Sequence, residues 1–167
     1  MTDKPYNILF LCTGNSARSI MSEALSTILG KGLFKGFSAG SKPGGVVNPF
    51  AIEQIKQFAP DYPTDEMRSK SWDEFALPDA EQMDFIITVC DNAAGETCPY
   101  WPGRPATAHW SFEDPAHVGS DAEKRASFAM IFQQIHKRMQ AFMALPIGEM
   151  TQAEIAAATK KIGEIPV

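Results

Sequence analysis

The chain has 167 residues, 44% of them hydrophobic and 21% charged, which is enough apolar material for one folded core and too much for a disordered segment. Its 15 Lys and Arg against 20 Asp and Glu leave a net charge of −5, which argues against nucleic acid as a partner. No apolar run approaches the roughly 18 residues of a membrane span. The opening MTDKPYN carries no secretory pattern, so a cytoplasmic protein without membrane contact is expected.

Tyr6 to Leu11 (YNILFL) is a continuous apolar run of the kind shown by a parallel strand covered on both faces. It ends in Cys12-Thr13-Gly14-Asn15-Ser16-Ala17-Arg18-Ser19. Ile20, Met21, Ala24, Leu25 and Ile28 then recur near helical spacing, and the pattern stops around Gly30 and Gly32. Phe34 to Ala39 predicts a short strand, closed by Gly40 and a loop over 41–47. Asn48-Pro49 reads as an N-cap and first-turn proline opening a helix through Ile52, Ile55 and Phe58.

After a Pro-rich stretch, Ser71 is expected to cap a short helix holding Trp72 and Phe75. Met83 to Val89 predicts a second buried strand, ending at Cys90. The Gly- and Pro-rich loop that follows carries Cys98, and Thr107 to Trp110 predicts a strand leading to Glu113-Asp114-Pro115. The longest helix is expected over Asp121 to Leu145, with Phe128, Ile131, Phe132, Ile135, Met139 and Phe142 as its core stripe. Thr151 and Glu154 form a capping box for a short amphipathic helix. One domain is expected over 1–167, with 146–167 as a C-terminal tail helix.

Strands alternating with helices predict a three-layer α/β/α sandwich around a four-stranded parallel sheet, in the order 2-1-3-4. Winding reverses between strands 1 and 3, and ligands bind outside the carboxyl ends of strands at such a switch point. Cys12 follows strand 1 and Cys90 follows strand 3. Two of the three thiols are therefore expected at the ends of adjacent strands, about 5 Å apart in the pairing direction.

A loop between a strand and a helix N-terminus aims successive N–H groups at one point, and the helix dipole adds positive charge. Such a loop binds a tetrahedral oxyanion and lowers the pKa of a thiol at its rim. The candidate oxyanion-binding residues are Thr13, Gly14, Asn15, Ser16, Ala17, Arg18 and Ser19. Gly14 and Asn15 suit the backbone curl, and Arg18 can fork across two oxygens of the anion. Ser16 and Ser19 can donate to the thiolate. The bland alternative is a buried cysteine ending a strand, because C-x5-R alone is a weak pattern; its position between strand and helix is what favours a functional loop.

Asp114, on a proline-stiffened loop near the same cleft, can protonate a leaving oxygen or can simply make an Asx turn. A zinc site on Cys90 and Cys98 is disfavoured, since seven residues separate them and no second pair exists, so no metal is expected. His109 reads as a strand-end residue.

ILFLCTGNSARS, FSAGS, NPFAI, SKSW, ITVCDNAAGETCP and HWSFEDPA together resemble the low-molecular-weight protein tyrosine phosphatase family, and more closely its arsenate reductase branch. The resemblance covers roughly residues 6–145. It implies a phosphatase-like fold in which Cys12 attacks the oxyanion and Asp114 supplies the proton. It implies further that Cys90 attacks the Cys12–arsenic adduct, and that Cys98 carries the oxidation outward as a Cys90–Cys98 disulfide, with Gly95 helping the loop reshape. Arsenate is then the substrate, with phosphate or sulfate as its analogue. No cofactor is implied beyond the redox-active thiols and an external thiol reductant.

Two departures from the branch bear on chemistry. Ala17 stands where relatives commonly carry another cysteine, and the Cys90–Cys98 spacing is one residue longer than in thioredoxin-coupled members. The donor is therefore left open between thioredoxin, glutaredoxin with glutathione, and another small thiol. Some relatives also place a potassium ion beside the loop, held partly by an acid. Lys70 stands at that point here, and its ammonium is expected to replace the ion and to fix the Asn15 network, unless it is an ordinary solvated lysine. The alternative activity is a low-molecular-weight protein tyrosine phosphatase, and a weak phosphatase side activity is expected in any case. A non-enzymatic oxyanion-binding or redox-sensing module is the third reading.

Overall fold

The computed structural model describes residues 5–90, 105–117 and 119–166. Four strands, β1 (Tyr6–Leu11), β2 (Phe34–Ala39), β3 (Phe85–Thr88) and β4 (Ala106–His109), form one parallel sheet in the order β2-β1-β3-β4. This is the expected topology. Leu11 pairs with both Ala39 and Thr88, so the loops after all three strands open at one end of the sheet.

Side chains alternate across a strand, and β1 shows why its apolar run is unbroken. Ile8 and Phe10 enter the larger core with four helices: α1 (Arg18–Gly30), α2 (Pro49–Phe58), α3 (Asp121–Met143) and α4 (Gln152–Ile162). Leu9 and Leu11 enter a second cluster with Ile86, Met83 and Trp72, the last on a 3-10 helix over Trp72–Phe75. Phe142 of α3 meets Phe34, Phe85 and Trp110 edge-on at 5.0–5.8 Å between ring centroids. Each such pair adds about 0.5–1.5 kcal/mol beyond its area burial.

The caps follow the expected chemistry. Asn48 accepts from the Phe50 N–H at 2.9 Å with Pro49 behind it, and Ser71 accepts from Asp73. Capping boxes join Ser120 to Glu123 and Thr151 to Glu154. Helix α1 ends on Lys31 in the left-handed region rather than on a glycine, with Gly32 also at positive φ. Two elements are shorter than expected: α3 stops at Met143 because Leu145 precedes Pro146, and β3 is regular only over Phe85–Thr88. Helix α4 packs on β4, burying Ile155 and Ile162. Among the described residues no helix is long and apolar enough to cross a membrane.

Candidate active site

Residues 12–17 leave the end of β1 and turn into α1. The outward side of this loop is tied down by backbone donors from neighbouring segments. Thr13 O accepts from Lys42 N at 2.9 Å, Gly14 O from Gly44 N at 3.1 Å and Ser16 O from Asn48 N at 2.9 Å. Ser69 Oγ adds a bond to Gly14 O at 3.2 Å. In a planar trans peptide the N–H points opposite the carbonyl before it. Fixing these carbonyls outward therefore turns the N–H groups of Gly14, Asn15 and Ala17 inward. Gly40 lets the belt come this close, since a Cβ there would fall on the Thr13 carbonyl oxygen.

Asn15 is fully buried and holds a left-handed φ of 46°, a conformation that costs a non-glycine residue about 1 kcal/mol. Its side chain offsets that cost. Oδ1 accepts from the Lys70 backbone N–H and Nδ2 donates to Ser19 Oγ, both at 2.9 Å. Ala17 at the start of α1 makes no side-chain cap, so the first-turn N–H groups remain directed at the loop.

Lys70 is placed differently from its expected role. Its backbone, not its ammonium, engages Asn15. The ammonium donates to Arg68 O at 2.9 Å and lies 3.8 Å from Glu23 Oε1, with both side chains largely buried. Ser38 Oγ donates to the same carboxylate oxygen at 2.6 Å. Burial raises the Glu23 carboxyl above its ordinary range, against the pull of Lys70 and Ser38, and burial lowers the Lys70 ammonium.

The thiols of Cys12 and Cys90, just beyond the ends of the adjacent strands β1 and β3, lie within hydrogen-bonding reach of each other. Both are buried. Cys90 Sγ also accepts from the Thr13 N–H at 3.4 Å. The Cys90 thiol and burial raise the Cys12 pKa, while Arg18 and the Gly14 N–H pull it down. The net direction is upward. This corrects the expectation of a depressed pKa: a second buried thiol resists the charge that the loop favours.

Arg18 opens α1 and turns back over the loop. Its Nη1 donates to Phe112 O at 2.9 Å, and its Nη2 lies 3.9 Å from Asp114 Oδ2. Asp114 Oδ1 accepts from the Ala116 N–H at 2.9 Å, so the Asx turn forms and the carboxylate still faces Arg18. His109 Nδ1 pairs with Thr88 Oγ1 at 2.7 Å, at the strand end. Cys12, Cys90, Arg18 and Asp114 are thus gathered at one end of the sheet. Cys98 and Gly95 lie outside the described residues. Among the described residues no group of three or more His, Cys, Asp or Glu side chains is disposed to hold a metal ion.

Sequence reasoning missed the donors that hold the loop from outside: the Lys42 and Gly44 N–H groups, the Ser69 hydroxyl and the Glu23 partner of Lys70. FSAGS, which sets Gly40 directly after β2, was the available signal for that close approach.

A 2-1-3-4 parallel sheet with a cysteine- and arginine-bearing loop after its first strand defines a phosphatase-like α/β protein. The chain belongs to the low molecular weight phosphotyrosine protein phosphatase family, whose model matches residues 7–157. An arsenate reductase of Halalkalibacterium halodurans is 38% identical over 136 residues, 81% of this chain and 93% of that one. An arsenate reductase of Bacillus subtilis is 35% identical over the same shares of each chain. A solved arsenate reductase in its phosphate-binding state aligns at a TM-score of 0.66 and 25% identity, covering 83% of this chain and 97% of that one.

Proposed function

We propose that the chain is an arsenate reductase, and the observation that carries the reading is the second buried thiol, Cys90, beside Cys12. A phosphatase needs one thiol, because water resolves its phosphocysteine. Reducing As(V) to As(III) takes two electrons, which two thiols supply in forming a disulfide. The relatives named arsenate reductase support the same reading.

In this mechanism the Gly14, Asn15 and Ala17 N–H groups and Arg18 bind the arsenate oxygens, and Cys12 attacks as the thiolate. A Cys12 S–As bond forms and an As–O bond breaks, with Asp114 donating the proton that lets the oxygen leave as water. Arg18 and the Gly14 N–H favour the Cys12 thiolate against burial and the Cys90 thiol, and an oxygen of the bound arsenate dianion takes the Cys12 proton. Cys90 then passes its proton to an arsenic-bound oxygen and attacks Cys12 Sγ as the thiolate. The S–S bond forms, the S–As electron pair stays on arsenic, and arsenite leaves. Cys98 attacks Cys90, regenerating the Cys12 thiolate, and an external dithiol reduces the Cys90–Cys98 disulfide. Thioredoxin, or glutaredoxin with glutathione, is the electron donor, in the cytoplasm.

Arsenate turnover with purified thioredoxin and glutaredoxin systems, on wild type and Cys98→Ser, tests the relay. Cys98→Ser is expected to stop steady turnover with thioredoxin after one equivalent of arsenite per chain. Full turnover in that variant would show that Cys98 carries no electrons. Lys70 is proposed to stand in for a potassium ion, so the wild-type rate should be the same in potassium and sodium at equal ionic strength. A strong potassium dependence would sink that role.

A further inference from the structure

The segment between β4 and Asp114 is held from the far side by a second arginine. Arg138 of α3 is 5% exposed. Its Nη1 donates to Ser111 O at 2.7 Å and its Nη2 to Ile165 O at 2.9 Å, while the guanidinium lies 4.8 Å from the centroid of Phe112. The adjacent carbonyl, Phe112 O, accepts from Arg18. Two guanidinium groups thus grip neighbouring peptides, one from the site and one from behind it.

The C-terminal segment completes this arrangement. Trp110 Nε1 donates to Thr159 O at 3.0 Å, and Lys137 Nζ to Pro166 O at 2.8 Å. Gly163 sits against the end of β4, where a Cβ would fall on the His109 carbonyl oxygen. Thr159, Gly163, Ile165 and Pro166 all follow residue 157, where the family match ends.

We infer that Arg138, clamped by the C-terminal segment, is a positioning residue that sets Arg18 and Asp114 over the anion loop by fixing Ser111 and Phe112. A planar fork can bond two carbonyls in different directions while stacking on a ring, which an ammonium cannot reproduce. Without it, Phe112 O is free to shift, and Arg18 loses the acceptor that sets its orientation. Misplacement on the order of 1 Å far from the chemistry can lower a rate about 10²-fold. The inference rests on the anion-loop part of the reading above and does not require arsenate to be the substrate.

The test is a double-mutant cycle of Arg138→Lys and Arg18→Lys, read by how well inorganic phosphate protects Cys12 from iodoacetamide. A positioning role predicts that Arg138→Lys weakens phosphate binding about tenfold in the wild-type background, the scale of one hydrogen bond to a charged group. In the Arg18→Lys background the same change should have less than about a twofold effect, because the two act as one unit. Equal effects in both backgrounds, or none in either, overturn the inference. Should Arg138→Lys fail to fold, a chain ending after Gly163 replaces it in the cycle with the same expected outcomes. Arsenate turnover measured in parallel separates the two readings: a protein that never turns over arsenate, yet shows the coupled loss of phosphate binding, defeats the reductase assignment alone.

Discussion

Cys12→Ser is expected to abolish arsenate turnover and any phosphatase side activity together, by a factor on the order of 10⁶, the scale on which deleting other catalytic nucleophiles acts. The substitution exchanges one small buried atom, so the loop should keep its shape, and phosphate should still bind. What disappears is the nucleophile: a serine hydroxyl stays protonated where the loop draws charge from a thiol. Arsenite release with a thiol reductant and hydrolysis of an aryl phosphate measure the two activities. Steady turnover of either by a folded Cys12→Ser protein would falsify the assignment of Cys12.

Removing Cys90 should instead split the activities. With Cys90→Ala the first adduct still forms, but no sulfur is left to take arsenic's place on Cys12, so arsenate turnover falls to background. Phosphate-ester hydrolysis needs no second thiol and should persist. The same variant should shift the titration of Cys12. The Cys90 hydrogen bond is the largest influence raising its pKa, so deleting it leaves burial opposed by Arg18 and the Gly14 N–H. The Cys12 pKa therefore falls, and the alkylation rate should rise at a lower pH than in wild type. An unshifted alkylation profile would show that the sulfurs do not interact. Loss of both activities would mean that Cys90 supports the loop through Thr13 and supplies no electrons.

What was legible in the chain was whatever the chain expresses locally. YNILFL marks β1 residue for residue because Ile8 to Leu11 is buried on both faces and only Asn7, near its start, is polar. Asn48-Pro49, Ser71 and Thr151 announced their caps because a cap is made within three residues of itself. The meeting of Cys12 and Cys90 followed from strand order, which handedness and switch-point rules constrain. Other features depend on segments far apart in sequence. That Lys70 reaches Asn15 through its backbone while its ammonium turns to Glu23 is a matter of how 68–72 runs beside Gly40. Cys12 shows the same limit, since the loop's pull on a thiol is readable from position, but the opposing effect of a buried neighbour needs a structure. Arg138 sits on the buried face of α3 among apolar residues, and nothing nearby in sequence announces the carbonyls of Ser111 and Ile165.

The outward-tied carbonyls of Thr13, Gly14 and Ser16 have a consequence for discrimination between ions. A cradle of main-chain N–H groups, wound before its guest arrives, reports tetrahedral shape and charge and little else. Phosphate and arsenate share both, so the loop admits the abundant ion as readily as the rare one. Selection then falls to the following step, where arsenic can keep the electron pair of its sulfur bond and phosphorus cannot. Such an enzyme is a poor sieve at its entrance and a strict one at its redox step, and phosphate should slow it by occupancy without being consumed.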